Sequence, residues 1–170
     1  MKRIFTLIIC VLVLFVSCKK DKNQAPVCYI TADIDGTPVS FTSNNVTRLT
    51  VGTNGGSIAT NSNLSLYGAA RLDENSDAIS ITVSEPQTVG VGTYRGGADD
   101  SRFVSIQYLT GPFTTTGSNE YVSDLSDAGM SVTITSIDTK TVQGTFKGVL
   151  YHNGAQKAIT NGKFNLMLNY

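Results

Sequence analysis

The chain reads as an all-β protein, a single antiparallel β-sandwich of about eight strands, and three observations point there. From Val27 onward apolar and polar residues alternate, with Cys28, Ile30, Ala32 and Ile34 on one side and Tyr29, Thr31 and Asp33 on the other. Alternation of period two is the signature of a strand with one buried face. Short runs of this kind recur along the chain, separated by glycine, serine, threonine and asparagine. No segment sustains a helical period beyond a turn or two. A closed, lipocalin-like β-barrel is the alternative architecture, because both place one apolar face of each strand inside.

The opening strand ends at Asp35-Gly36, a pair suited to a two-residue hairpin turn. Such a turn pairs Ile34 with Thr37, Ala32 with Val39 and Ile30 with Phe41, so both strands bury one face. Strands are then expected at Val46–Gly52, at Leu64–Leu72 with Leu64, Leu66, Ala70 and Leu72 inward, and at Ala78–Ser84 with Ile79, Ile81 and Val83 inward. Arg102–Leu109, Ser131–Ile137, Thr141–Tyr151 and Ala158–Leu168 complete the set. Thr110–Ser118, rich in serine and threonine, reads as a loop. Tyr121–Ala128 is the best helical segment, with Val122 and Leu125 three apart and Gly129 as a stop.

The last two strands carry a register argument. Val142, Gly144, Phe146, Gly148 and Leu150 form one face, and Ala158, Thr160, Gly162, Phe164, Leu166 and Leu168 form its match. A two-residue Asn153-Gly154 turn would pair even positions with odd ones and turn Lys157 and Lys163 inward. A three-residue loop, His152-Asn153-Gly154 with Gly154 left-handed, is therefore expected, pairing Tyr151 with Ala155.

Upstream of the domain, Lys2 and Arg3 precede an apolar run from Ile4 to Val16, then Ser17-Cys18. The run is shorter than the roughly 20 residues that span a bilayer, and the charged, apolar, small-residue order is that of a secretory signal. With a cysteine at the cleavage point it reads as a lipoprotein signal: residues 1–17 are removed and Cys18 carries lipid. Residues 18–26 are then the lipidated cysteine and a polar tether, and 27–170 the folded domain. Removing the leader and the tether charges leaves eight basic and twelve acidic residues, a formal charge of −4. That body is a poor electrostatic match for nucleic acid. Lys19, Lys20 and Lys22 sit instead beside the anchor, where anionic headgroups attract them. Cys10 leaves with the leader, so Cys28 has no partner for an internal disulfide and is expected as a small hydrophobe.

Several phrases together resemble a known group: Cys18-Lys-Lys-Asp21, Thr31-Ala-Asp-Ile-Asp-Gly-Thr-Pro-Val-Ser-Phe41, Gly92-Thr-Tyr94, Val132-Thr-Ile-Thr-Ser-Ile-Asp138, Gln143-Gly-Thr-Phe146 and Ile159-Thr-Asn-Gly-Lys-Phe164. They resemble, in order along the chain, the small uncharacterised outer-membrane lipoproteins of Bacteroidota-type bacteria. The resemblance implies a β-rich domain on the outer membrane, and it brings no activity or functional residues with it.

Chemistry-bearing residues are sparse. The one histidine, His152, falls in a hairpin turn, so a nucleophile–histidine pair would need a loop tip to reach a pocket. One histidine and one cysteine do not make a zinc site, and no cofactor is implied. Gly90-Val-Gly92 precedes no helix and is no phosphate loop. Asp73, Asn75 and Asp77 alternate as in a calcium loop, but Ala78 and Ser84 stand where glycine and glutamate are needed, which favours a plain turn. A glycan-active hydrolase requires two carboxylates at a fixed separation; Asp33, Asp99, Asp100 and Asp138 are the candidates. Tyr29, Tyr67 and Tyr151 point outward by strand parity and are candidate ligand-binding residues for a glycan or an envelope protein.

The reading is thus a lipid-anchored, non-enzymatic binding module of the outer membrane, with a glycan hydrolase or a lipocalin-like carrier as alternatives. Such a signal implies a triacylated Cys18, and three acyl chains at about 0.8 kcal/mol per buried methylene hold durably where one does not. Replacing Cys18 with Ser should move the protein from the membrane to the soluble fraction on cell fractionation. Retention in membranes would refute the anchor.

Overall fold

The computed structural model describes residues 28–41, 50–52, 62–71, 76–96, 102–111 and 119–168. The leader, Cys18, the tether and parts of several loops lie outside them. Among the described residues eleven strands run in chain order: β1 Tyr29–Ile34, β2 Thr37–Ser40, β3 Thr50–Gly52, β4 Ser62–Ala69, β5 Ala78–Glu85, β6 Gly92–Arg95, β7 Phe103–Thr110, β8 Asn119–Ser123, β9 Ser131–Ile137, β10 Thr141–His152 and β11 Ala155–Met167. Every pairing is antiparallel. The all-β antiparallel class expected from the alternation is the class adopted. The strands form one continuous curled sheet, ordered β2-β1-β11-β10-β8-β7-β5-β4-β3, with β6 and β9 joined to the first half of β10.

The curl brings distant strands over one core. Ile30, Leu66, Ile79, Ile81, Ile106, Val132, Val142, Leu150, Ile159, Phe164 and Leu166, drawn from β1 to β11, are buried in a single cluster. Phe41, just after β2, meets Tyr108 of β7 edge to face at 6.2 Å. A Cβ on Gly68 of β4 would stand 2.9 Å from the Phe41 Cβ, so the far side of the sheet reaches the β1–β2 hairpin here. Cys28 is half-buried and packs against this core.

The first hairpin takes the register expected of it. Ile34 pairs with Thr37 and Ala32 with Val39, and the Phe41 amide donates to the Ile30 carbonyl at 2.8 Å. Asp35 and Gly36 both have positive φ, 51° and 78°, as a two-residue turn of this hand requires. The strand expected at Val46–Gly52 is present as Thr50–Gly52, its earlier residues lying outside those described.

The β10–β11 hairpin corrects the sequence reading. Its loop is the two-residue Asn153-Gly154, with φ of 47° and 83°, and His152 pairs with Ala155. The parity conflict is resolved further along. Phe146 pairs with Gly162 but Gly148 with Ile159, so Thr160 and Asn161 together oppose Lys147, and Asn161 takes φ of 52°. This β-bulge restores the apolar match beyond it. Ile159 therefore faces the core in place of Ala158, and Lys163 stays exposed.

One more expectation fails for a local reason, and one strand was not foreseen. Tyr121–Ala128 is no helix: Asn119–Ser123 is β8, and Asp124 and Asp127 then bind the amides of Ser126 and Gly129 at 2.8 and 2.7 Å. Such side-chain turns compete with helical hydrogen bonding, and Leu125 ends 43% exposed. The short β6 was not anticipated; Tyr94 steadies its entry by donating to the Gly90 carbonyl and accepting from the Gly90 amide.

Phe146 and Phe164 interlock across β10 and β11. Gly144 lies opposite Phe164 and Gly162 opposite Phe146. A Cβ on Gly162 would collide with the Phe146 carbonyl and ring, and one on Gly144 with the Thr133 carbonyl and the Phe164 ring. Gly162→Ala should lower the unfolding free energy by roughly 1–3 kcal/mol in urea titrations. Gly90→Ala, where nothing lies within 4 Å, should stay within about 0.5 kcal/mol. Equal effects at the two sites would refute the interlock.

Candidate functional site

Directly opposed residues of antiparallel strands share a face, so the registers define cross-strand rows. On the outer face, Thr93, Thr133, Thr145, Lys163 and Thr31 form one row across β6, β9, β10, β11 and β1. Arg95, Ser131 and Lys147 form the next, meeting the bulged Thr160-Asn161 pair. Between these rows lies a concavity of about 310 Å³ lined by Ser131, Thr133, Thr145, Lys147, Asn161 and Lys163 together with Phe146 and Gly162. The bulge contributes directly: the left-handed Asn161 donates from Nδ2 to Asp33 Oδ2 at 2.7 Å. The Thr93 and Thr133 hydroxyls share a hydrogen bond of 2.9 Å.

Lys147 and Lys163 are exposed and lie on a cross-strand diagonal, which places them roughly 7–8 Å apart at their bases. Among the described residues the ion pairs are Arg102–Glu85 at 3.4 Å and Lys157–Asp35 at 3.3 Å; Arg95, Lys147 and Lys163 take part in neither. The hydroxyls, the Asn161 amide and the two lysine amines can donate or accept hydrogen bonds, and the nearby Asp33 accepts from Asn161.

A second polar cluster rims the inner face at the opposite end of the strands from the β1 entry. The Tyr108 hydroxyl donates to Asp77 Oδ2 at 2.6 Å, and the Gly111 amide donates to Asp77 Oδ1 at 3.2 Å. Burial pushes the Tyr108 phenol well above its ordinary range, and its bond to the Asp77 carboxylate pushes it further. Lys157, turned inward by the two-residue turn, lies 5.0 Å above the Tyr121 ring and pairs with Asp35. The Ala158 amide, donating to Asp35 Oδ1 at 2.8 Å, holds that carboxyl below the usual carboxylate range, with Lys157 adding to it.

His152 packs on Tyr121 at 5.3 Å between centroids. Its Nδ1 lies 2.8 Å from the Glu120 carbonyl and its Nε2 3.0 Å from Asn153 Nδ2. Both ring nitrogens are therefore engaged.

The three outward tyrosines are not brought together. Tyr29 pairs with Asn165 and Tyr151 with Gln156, nine positions apart on β11 or roughly 30 Å. Tyr67 shares a cross-strand row with Tyr151 through Ser80, Gln107 and Val122, four strand spacings or roughly 19 Å away. Tyr29 is the nearest of the three to the concavity by register, one row beyond Lys163. Asp138 binds the Lys140 and Thr141 amides at the β9–β10 turn, at 2.6 and 2.7 Å, seven β11 positions or roughly 23 Å from Asp33. Those two carboxylates cannot flank one glycosidic bond. Cys18, Asp73, Asn75, Asp99 and Asp100 lie outside the described residues. Asp77 serves Tyr108 and Gly111, and among the described residues no three His, Cys, Asp or Glu side chains are grouped to hold a metal.

No protein-family model, no curated protein and no solved structure matches the chain. The site therefore rests on its own geometry. Sequence reading passed over Lys147, Lys163, Thr133, Thr145 and Asn161. Outward parity of Thr133, Thr145 and Lys147 was legible, but their convergence with Asn161 and Lys163 depends on the bulge.

The Tyr108–Asp77 bond makes an alkaline prediction. An unfolded tyrosine ionises near pH 10, whereas native Tyr108 keeps its proton to higher pH. Above about pH 10 the unfolded chain binds fewer protons than the native one, so stability falls as pH rises. Tyr108→Phe should cost roughly 1–3 kcal/mol at pH near 9 and lack this extra alkaline loss, so the two proteins converge towards pH 11 in urea titrations. Parallel pH profiles would refute the assignment.

Proposed function

We propose that this protein is a lipid-anchored, non-enzymatic binding module of the cell envelope, tethered at the outer membrane through Cys18. It engages a glycan or an envelope protein through the concavity on the outer face of β9, β10 and β11. The supporting observation is that concavity: about 310 Å³, on paired strands, with hydroxyls, an amide and two lysines set among apolar surface that includes Phe146 and Gly162. Rigid strands hold such groups more firmly than loops do, and directional polar groups in a depression favour recognition of a polar ligand. The leader pattern and the basic tether supply the membrane half of the reading.

The side chains present favour binding over catalysis. Threonine, serine and asparagine offer both donors and acceptors, which suits a polyol, and the two ammonium groups add donors that strengthen toward anionic acceptors. The separated tyrosines act singly, with Tyr29 as the one placed to extend the concavity.

A screen of the full-length, detergent-solubilised protein against envelope polysaccharides and proteins tests this reading. Thr145→Trp, which fills the concavity from an exposed position, should weaken binding roughly tenfold or more with an unchanged melting temperature. Binding that survives Thr145→Trp but is lost in the Tyr67→Ala/Tyr151→Ala double variant would overturn the assignment of the surface.

A further inference from the structure

We propose that the ligand of this concavity is an acidic polysaccharide, whose carboxylates are taken by Lys147, Lys163 and Arg95 and whose hydroxyls meet the threonine row. This rests on the binding-module reading and names its ligand class.

Charge distribution carries the argument. The domain is acidic, with eight basic residues against twelve acidic ones, yet Arg95, Lys147 and Lys163 gather on one outer face of β6, β9, β10 and β11. Arg95 and Lys147 occupy one row on either side of Ser131, roughly 10 Å apart. Lys147 and Lys163 flank Thr145 on the diagonal. Elsewhere Lys157 and Arg102 are neutralised by Asp35 and Glu85, while these three cations form no ion pair among the described residues. Among the described residues, Asp33 accepts from Asn161 and Asp127 from the Gly129 amide, and neither forms an ion pair with Arg95, Lys147 or Lys163. Among the described residues the three cations outnumber those two carboxylates, and a net positive face around a depression attracts an anionic partner.

The shape and the polar lining favour a saccharide over a lipid surface. A bilayer surface is broad, and a protein face that lies on it offers apolar or aromatic side chains to the interface. This face instead offers a depression lined by Ser131, Thr133, Thr145 and Asn161. A polyol chain can enter it, exchange hydrogen bonds with hydroxyls that both donate and accept, and lay a ring against Tyr29 at its margin.

The test is a titration of the full-length protein in neutral detergent with three probes: polygalacturonate, the same polymer fully methyl-esterified and so uncharged, and vesicles of phosphatidylglycerol in phosphatidylcholine. Polygalacturonate should bind, weaken with added salt, and lose roughly tenfold or more affinity in Lys147→Gln/Lys163→Gln. Lys147→Arg/Lys163→Arg should retain binding, and Lys140→Gln, on the β9–β10 turn, should leave it unchanged. Equal binding of the charged and esterified polymers, both lost in Thr145→Trp, would overturn the acidic specificity and leave the concavity as the binding surface. Vesicle binding that depends on Lys147 and Lys163, without polygalacturonate binding, would overturn the proposal in favour of a membrane-facing sheet. Failure of all three probes would also overturn it, and if envelope polysaccharides and proteins fail as well, the binding-module reading falls with it.

Discussion

The reciprocal packing of Phe146 on Gly162 and Phe164 on Gly144 is the constraint from which the rest of the sheet is built. The two rings lie 6.4 Å apart and nearly parallel, at 29°, each above the glycine that pairs with it across the strands. Burying a phenylalanine contributes about 1.5–3 kcal/mol, but geometry matters more here than that sum. A Cβ at Gly144 would strike the Thr133 carbonyl, so β9 approaches β10 as closely as it does because the side chain is absent. β10 and β11, of 12 and 13 residues, are also the longest strands. β8, β9 and β1 all pair with one of them, so an error in their register would propagate to both halves of the curl.

The same hairpin builds the outer surface. Its tight Asn153-Gly154 turn fixes a register in which Leu150 faces Lys157, which by strict alternation would set Phe164 against polar neighbours. The extra residue at Asn161 reverses the parity just before Gly162, and the interlock follows. That bulge also aims Asn161 at Asp33 and leaves Lys147 and Lys163 on either side of a depression. Core and candidate binding face are two sides of one solution. A change that straightened the bulge would misplace the aromatic pair and flatten the concavity together.

What the sequence made legible follows from how local each signal is. The Asp35-Gly36 hairpin combined alternation with turn chemistry, and both pointed to one register. Ser131–Ile137 and the Ile79, Ile81 and Val83 face were equally self-contained. The final hairpin was misread because two true signals conflicted, a strong two-residue turn and an apolar match requiring the other parity. A bulge reconciles them, and Asn161 in Thr160-Asn161-Gly162 is a residue type that tolerates positive φ. Tyr121–Ala128 was misread because a three-residue spacing of Val122 and Leu125 outweighed Asp124 and Asp127, each two residues before an amide it could bind. The Tyr108–Asp77 and Lys157–Asp35 contacts join residues 31 and 122 positions apart. No local pattern encodes such pairs.

The direction of the chain relates the candidate face to the proposed anchor. β1 leads from Tyr29 to the Asp35-Gly36 turn, and β11, antiparallel to it, begins beside that turn at Asn153-Gly154. Both tight turns, and the rim where Lys157 meets Asp35 and Tyr121, therefore lie at the end remote from the entry of the tether. The Asp138–Thr141 turn lies at the near end, since Thr141 pairs with Met167 two positions beyond the partner of Tyr29. Lys147 and Lys163 fall between, on the flank of the sheet. A tether of eight residues, reaching at most about 25–30 Å, would leave a domain held at Cys18 free to turn, so that this flank could meet a polymer running parallel to the envelope surface.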